Sequence, residues 1–168
     1  MATAFVGLGS NLVHPRRQIA RALRALSRLP RTRVVRVSPS FVTAPVGAPG
    51  PQPDYVNAVA MLSTALAPRA LLARLHTIER RQGRQRNART QRNSARTLDL
   101  DLLLFGRRRQ ATAELALPHP RMHLRAFVLQ PLARIAPAVA IPGRGLACGY
   151  LRDVRGQAAS LTRTHHLH

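Results

Sequence analysis

The sequence predicts an α+β fold of the ferredoxin-like split β-α-β kind, a mainly antiparallel sheet with helices packed on it. Three observations predict it. Two stretches with apolar residues at helical spacing each open at a proline, Pro15 and Pro68. Short apolar stretches, partly alternating, lie before, between and after them. In chain order the elements run strand, helix, strand, strand, helix, strand, which is the split arrangement.

Thr3 to Leu8 is apolar and ends in "GLGSN", which reads as strand then turn. After Pro15, residues Ile19, Leu23, Leu26 and Leu29 recur at helical spacing, and Arg16, Arg17, Arg21, Arg24 and Arg28 fill the solvated side. Arg33 to Phe41 is β-branched and reads as one strand. Residues 43–54, "TAPVGAPGPQPD", are rich in proline and glycine and read as a loop. Tyr55 to Thr64 is apolar on both faces, hence a central strand. From Pro68 a helix places Leu71, Leu75, Ile78 and Gln82 on one stripe, and Gly83 can end it in a left-handed cap. The polar run "RQRNARTQRNSA" has no periodicity and is expected to be mobile without ligand. A leucine-rich strand follows at residues 96–106, and Phe127 to Ile135 reads as a further helix across Pro131. Residues 1–160 are expected to form a single domain and 161–168, ending in "THHLH", a disordered tail.

The chain has 168 residues, of which 45% are hydrophobic, enough for one real core. No apolar run is long enough to cross a membrane, and the start has no basic region followed by a long apolar stretch. With one cysteine, Cys148, an internal disulfide is excluded. A cytoplasmic, monomeric protein is expected. All 27 basic residues are arginine against six acids, for a net charge of +21. That balance calls for a polyanion: nucleic acid, an anionic surface or a phosphate-rich small ligand. A complete lack of lysine also fits GC-rich coding bias, so charge alone does not choose among them.

Two of the six acids sit in "RTLDLDLLLFG", residues 96–106. Alternation puts Leu98, Leu100, Leu102 and Leu104 on one face and Asp99 and Asp101 on the other, their Cα atoms roughly 7 Å apart. Two carboxylates that close repel each other, and a shared cation removes the cost. Residues 80–96 hold seven arginines, and "PHPRMHLRAF" holds His119, Arg121, His123 and Arg125. Paired carboxylates, an arginine-rich loop and a second His/Arg segment suit a nucleoside triphosphate with its Mg²⁺. There is no glycine-rich G-x-x-x-x-G-K-[ST] cradle, so side chains must hold the phosphates.

Taken together, "AFVGLGSNL", "SPSFVTAPVG", "QPDYVNA", "IERRQGRQR", "ARTLDLDLLLFG" and "LPHPRMHLRAFVLQPLARIAP" run in order over residues 4–137. In this ordered set the chain resembles the 6-hydroxymethyl-7,8-dihydropterin pyrophosphokinase family of folate biosynthesis. The resemblance implies a ferredoxin-like fold and transfer of pyrophosphate from ATP to the pterin hydroxymethyl oxygen, with release of AMP. It implies that Asp99 and Asp101 hold two Mg²⁺ ions, and that Arg84 and Arg96 stabilise the transferred group. Glu79, Arg92, His119 and Arg125 would complete the ATP site with them. Thr43, Ala44, Val46, Tyr55, Asn57 and Phe127 would hold the pterin. Relatives often carry tryptophan near Asn93, where this chain has none; "SAR" and "HLR" replace the usual "GPR" and "HER". The rival reading is a basic nucleic-acid-binding module on the same fold. Only six aromatic residues occur, and no strand interleaves them as RNA-stacking sheets do.

Overall fold

The structure, a computed structural model, describes residues 1–43, 53–83 and 98–157, and the backbone of 159–161. Strand β1 is Ala2–Ser10, helix α1 is Pro15–Ser27, and β2 is Thr32–Val37. Then come β3 (Phe41–Thr43), β4 (Tyr55–Thr64), α2 (Pro68–Arg81) and β5 (Asp99–Phe105). The rest is smaller: β6 (Gln110–Ala111), β7 (Ala116–Leu117), α3 (Ala126–Ile135), β8 (Ala140–Ile141), β9 (Gly145–Leu146) and β10 (Ala159–Leu161). The main sheet runs β10-β3-β4-β1-β5, with β2 also paired to β4, and every pairing in it is antiparallel. Setting aside β10, this is the expected split β-α-β order with the second strand in two pieces.

The break in that strand has a local cause. Ser38 lies between β2 and β3 and bonds twice to Val59 of β4: its N–H donates to the Val59 carbonyl, and its Oγ accepts the Val59 N–H, both at 2.9 Å. Pro39 follows and has no N–H for a ladder.

Both helices start at their prolines, and Gly83 takes φ +96° after α2, with its N–H on the Arg80 carbonyl. Ile19, Leu23 and Leu26 of α1 and Leu71, Leu75 and Ile78 of α2 are buried against one face of the sheet. Each fully buried leucine of this kind contributes roughly 1.5–3 kcal/mol. Opposite them lie the residues of β1 and β4 with even numbers: Ala4, Val6, Leu8, Val56, Ala58, Ala60 and Leu62. The odd face is not left to solvent. It carries a second core, in which Leu129 and Leu132 of α3 meet Phe5, Val59, Leu103 and Leu104. The sheet is therefore covered on both faces, α1 and α2 on one and α3 on the other. Arg36 of β2 donates to the Ile135 carbonyl at 3.0 Å, satisfying one of the open carbonyls at the end of α3.

Two expectations need correction. β1 does not turn at "GLGSN"; it continues through Gly7 and Gly9 to Ser10, paired on both sides. Leu104 does not share a face with Leu98, Leu100 and Leu102. Phe5 pairs with Leu104 and Val6 with Leu102, so Leu103 is the extra residue of a β-bulge. Past the bulge the alternation inverts, and Phe105 takes the side Leu104 was expected to take. The C-terminal region also holds more order than its sequence suggests. β10 pairs with β3 and reaches Leu161, the first residue of the expected tail. Residues 162–168 lie outside the described residues.

Candidate active site

Registers in the sheet assemble the site. Asn57 of β4 pairs with Gly9 of β1, which pairs in turn with Asp99 of β5. One step along, Val59, Gly7 and Asp101 form the same kind of row. All six positions point to the α3 face. Because the middle of each row is glycine, β1 puts no side chain of its own between Asn57 and the carboxylates. A Cβ at Gly9 would stand 3.0 Å from Asn57 Oδ1. The result is a cleft of about 260 Å³, its mouth included, lined by Gly7, Gly9, Asn57, Asp99, Asp101 and Phe127 among others.

The polar end of the cleft is tied down. Asn57 is buried and its Nδ2 donates to Thr43 Oγ1 at 2.7 Å, which leaves Oδ1 toward the Gly9 floor. Thr43 is opposite Tyr55 in the β3–β4 pairing, so both stand at the same end of the sheet. Phe127, in the first turn of α3, closes one side of the cleft. Arg125, just before α3, lies with its guanidinium carbon 5.4 Å from the Phe127 ring centre, and its Nη1 is 4.0 Å from Asp101 Oδ2. About a quarter of each partner in that ion pair is exposed, so this contact contributes little to stability.

His119 stands near the same charges. Its backbone N–H donates to the Leu103 carbonyl at 2.8 Å, which ties it to the bulge of β5. Burial holds its pKa down at about 4 against an ordinary 6.5; Arg125 lowers it further and Asp99 opposes. His119 Nδ1 accepts the Arg121 N–H at 3.1 Å, so the neutral ring carries its proton on Nε2 and can donate one hydrogen bond there. Folding thus excludes a proton that the unfolded chain takes up below pH 6.5. This part of stability is intact above that pH, declines as pH falls from 6.5 toward 4, and levels off below. Ligand-free thermal melts are expected to show a steeper acid loss for the wild type than for His119→Asn over that window. Parallel curves would refute a depressed His119.

Glu79, placed by its motif in the nucleotide pocket, is held inside the protein. It is 1% exposed, and its Oε2 accepts the Leu100 N–H at 3.0 Å from the α1/α2 side of β5. Its carboxylate thereby fixes the backbone between the two aspartates. Gln82, also buried, donates from Nε2 to the carbonyl and Oε1 of Gln18, at 2.9 and 2.8 Å. These bonds anchor the chain on both sides of segment 84–97. Asn11 Nδ2, bonded to the Pro53 carbonyl at 3.1 Å, does the same where the chain leaves segment 44–52. Ala44, Val46, Arg84, Arg92 and Arg96, and with them Asn93 and the polar run expected to be mobile, lie outside the described residues.

Of the expected residues that are described, Thr43, Tyr55, Asn57, Asp99, Asp101, His119, Arg125 and Phe127 gather at this end of the sheet. Gly7 and Gly9 were missed. Their signal was the two-residue spacing, which in a strand matches the spacing of the aspartates. Among the described residues no group of three His, Cys, Asp or Glu side chains could hold a metal.

The profile of the 7,8-dihydro-6-hydroxymethylpterin-pyrophosphokinase (HPPK) family matches residues 5–137. A protein of Pseudomonas aeruginosa called 2-amino-4-hydroxy-6-hydroxymethyldihydropteridine pyrophosphokinase is 52% identical over 143 residues, 84% of this chain and 86% of its own. One of the same name from Haemophilus influenzae is 46% identical over 142 residues, again 84% and 86%. Among solved structures, an HPPK-DHPS in complex with substrates superposes with a TM-score of 0.72 at 11% identity, over 90% of this chain and 43% of that one. The Plasmodium falciparum HPPK-DHPS with pterin and p-hydroxybenzoate gives 0.69 at 12%, over 90% and 43%. At that identity the likeness is one of fold, and this chain spans less than half the length of either solved chain.

Proposed function

This chain belongs to the HPPK family, and from that premise we propose that the cleft between Asn57 and the aspartates is where the pterin hydroxymethyl group meets ATP. The enzyme is a pyrophosphokinase of folate biosynthesis, moving pyrophosphate from ATP to 6-hydroxymethyl-7,8-dihydropterin. No helix among the described residues is long and apolar enough to cross a membrane. We propose that it works in the cytoplasm, as a monomer; sedimentation at working concentration tests the latter.

The observation that carries the site reading is the pair of rows Asn57–Gly9–Asp99 and Val59–Gly7–Asp101. A flat bicyclic ring fits a glycine floor, with Phe127 and Tyr55 to stack on it and the Asn57 amide and Thr43 hydroxyl to bond its edge. Its hydroxymethyl arm then points toward the carboxylates. Asp99 and Asp101 are hard oxygen donors, partly exposed and too few to cage an ion alone. That fits Mg²⁺, which keeps phosphate oxygens and waters among its ligands. Two Mg²⁺ held there would neutralise phosphate charge and lower the pKa of the attacking hydroxyl. The chain's own groups do the rest. Arg125 places a fixed positive charge beside the transferred phosphates, and neutral His119 offers its Nε2–H to a phosphate oxygen. Arg84, Arg92 and Arg96 are proposed to add further cations from segment 84–97. Phe127 and Val128 line the cleft on its α3 side.

Purified protein is expected to release AMP from ATP only when both hydroxymethyl dihydropterin and Mg²⁺ are supplied. AMP release that persists without the pterin, or after chelation of divalent ions, would overturn the site reading.

A further inference from the structure

Arg125 occupies a one-residue joint. A 3₁₀ turn, Met122–Leu124, ends before it and α3 begins after it, while Arg125 itself is extended at φ −123°, ψ 111°. No neighbouring side chain caps the start of α3. The cap comes instead from Gln157, 31 residues on. Its Oε1 accepts the Ala126 N–H at 2.8 Å, and its Nε2 donates to the Leu124 carbonyl at 2.7 Å. Those two groups belong to the peptide planes on either side of the Arg125 Cα. Since peptides are planar, the direction in which residue 125 projects is set by two dihedrals, φ and ψ, one for each plane. A single side-chain amide therefore fixes both. Gln157 is itself held in a chain of turns: its N–H donates to the Val154 carbonyl at 3.0 Å, and Val154 is buried in the α3 core.

We infer that Gln157 is a positioning residue for Arg125, locking the backbone on both sides of it so that its guanidinium stays over Phe127 and beside Asp101. This rests on the phosphate role given to Arg125 above. The consequence is kinetic. A misdirected guanidinium weakens the meeting of charge and transferred phosphate, while the pterin floor of Asn57, Gly9 and Thr43 is untouched.

The test is a double-mutant cycle on steady-state AMP release, with thermal melts of every variant. Gln157→Met, similar in shape and without the two bonds, is expected to lower turnover roughly tenfold, as small misplacements of a reacting group do, with pterin KM nearly unchanged. In an Arg125→Ala background the same change is expected to lower turnover no further. Gln157→Asn, one methylene shorter, is expected to fall between and serves as the second variant if the methionine chain fails to fold. Wild-type turnover in both Gln157 variants would overturn the inference. So would an equal loss with and without Arg125, which is the mark of a purely structural role. If Arg125→Ala alone keeps full turnover, the phosphate reading of Arg125 fails first and the inference with it, a result distinct from the other two.

Discussion

Asp101→Asn is expected to reduce turnover by about three orders of magnitude while leaving the fold intact. Charge decides this. The substitution keeps the shape of the side chain and removes the negative charge that faces the cleft beside Asp99. A thousandfold loss corresponds to about 4 kcal/mol of transition-state stabilisation. Against that, the Arg125–Asp101 contact is 4.0 Å long and partly exposed, and such pairs are worth at most about 1 kcal/mol. Single-turnover rates with saturating ATP, Mg²⁺ and pterin measure the first quantity, and denaturant melts the second. A variant that melts like the wild type and turns over within about tenfold of it would remove the carboxylate pair from the chemistry.

Gly9→Val is expected to weaken pterin binding by about ten- to hundredfold, the cost of leaving a buried polar group unpaired. The added Cβ would stand 3.0 Å from Asn57 Oδ1, and the two methyl carbons beyond it enter the space between that amide and Asp99. Asn57 cannot simply swing away, because it is buried and its Nδ2 is bonded to Thr43 at 2.7 Å. Strand propensity works in the other direction, since valine suits a strand interior better than glycine does. That preference offsets only part of the strain against Asn57, so some loss of stability is expected beside the rise in the pterin dissociation constant. Gly7→Ala is the graded comparison: its Cβ would meet Leu103 at 3.6 Å, an ordinary contact, and a smaller loss is expected. Calorimetric titration with pterin distinguishes the two; equal affinity of Gly9→Val and wild type would show that the ring does not lie on this floor.

The elements that rest on local chemistry were legible in the sequence. Pro15 and Pro68 open helices whose apolar stripes are the buried ones, Gly83 ends the second, and Tyr55–Thr64 is a central strand. The shared face of Asp99 and Asp101 followed from alternation alone. What was not legible depends on partners. Glycine in "GLGSN" has the same local signal in a turn and in a strand, and only pairing with β4 and β5 distinguishes them. The bulge at Leu103 is a mismatch of two registers, invisible to either strand by itself. Glu79 carried a family motif, yet its burial against Leu100 is set by the docking of α2 on β5. Gln157 lies beyond the span that any motif covered, and its meaning arises only where the chain returns to the start of α3.

The bulge in β5 also governs which changes of length the gene can tolerate. Because Leu103 is the supernumerary residue, losing its codon would leave Asp99 and Asp101 facing the cleft and Phe105 facing α1 and α2; one leucine would be missing from the α3 core. Losing the codon of Leu100 would be a different event. The two aspartates would become adjacent, and adjacent strand residues face opposite ways, so one carboxylate would be driven into the hydrocarbon side of the sheet. Two deletions of equal size, three codons apart, thus differ between a local repair and the loss of the paired carboxylates proposed for the chemistry. Drift in length has a permitted place in this strand, on the side of the bulge away from the chemistry.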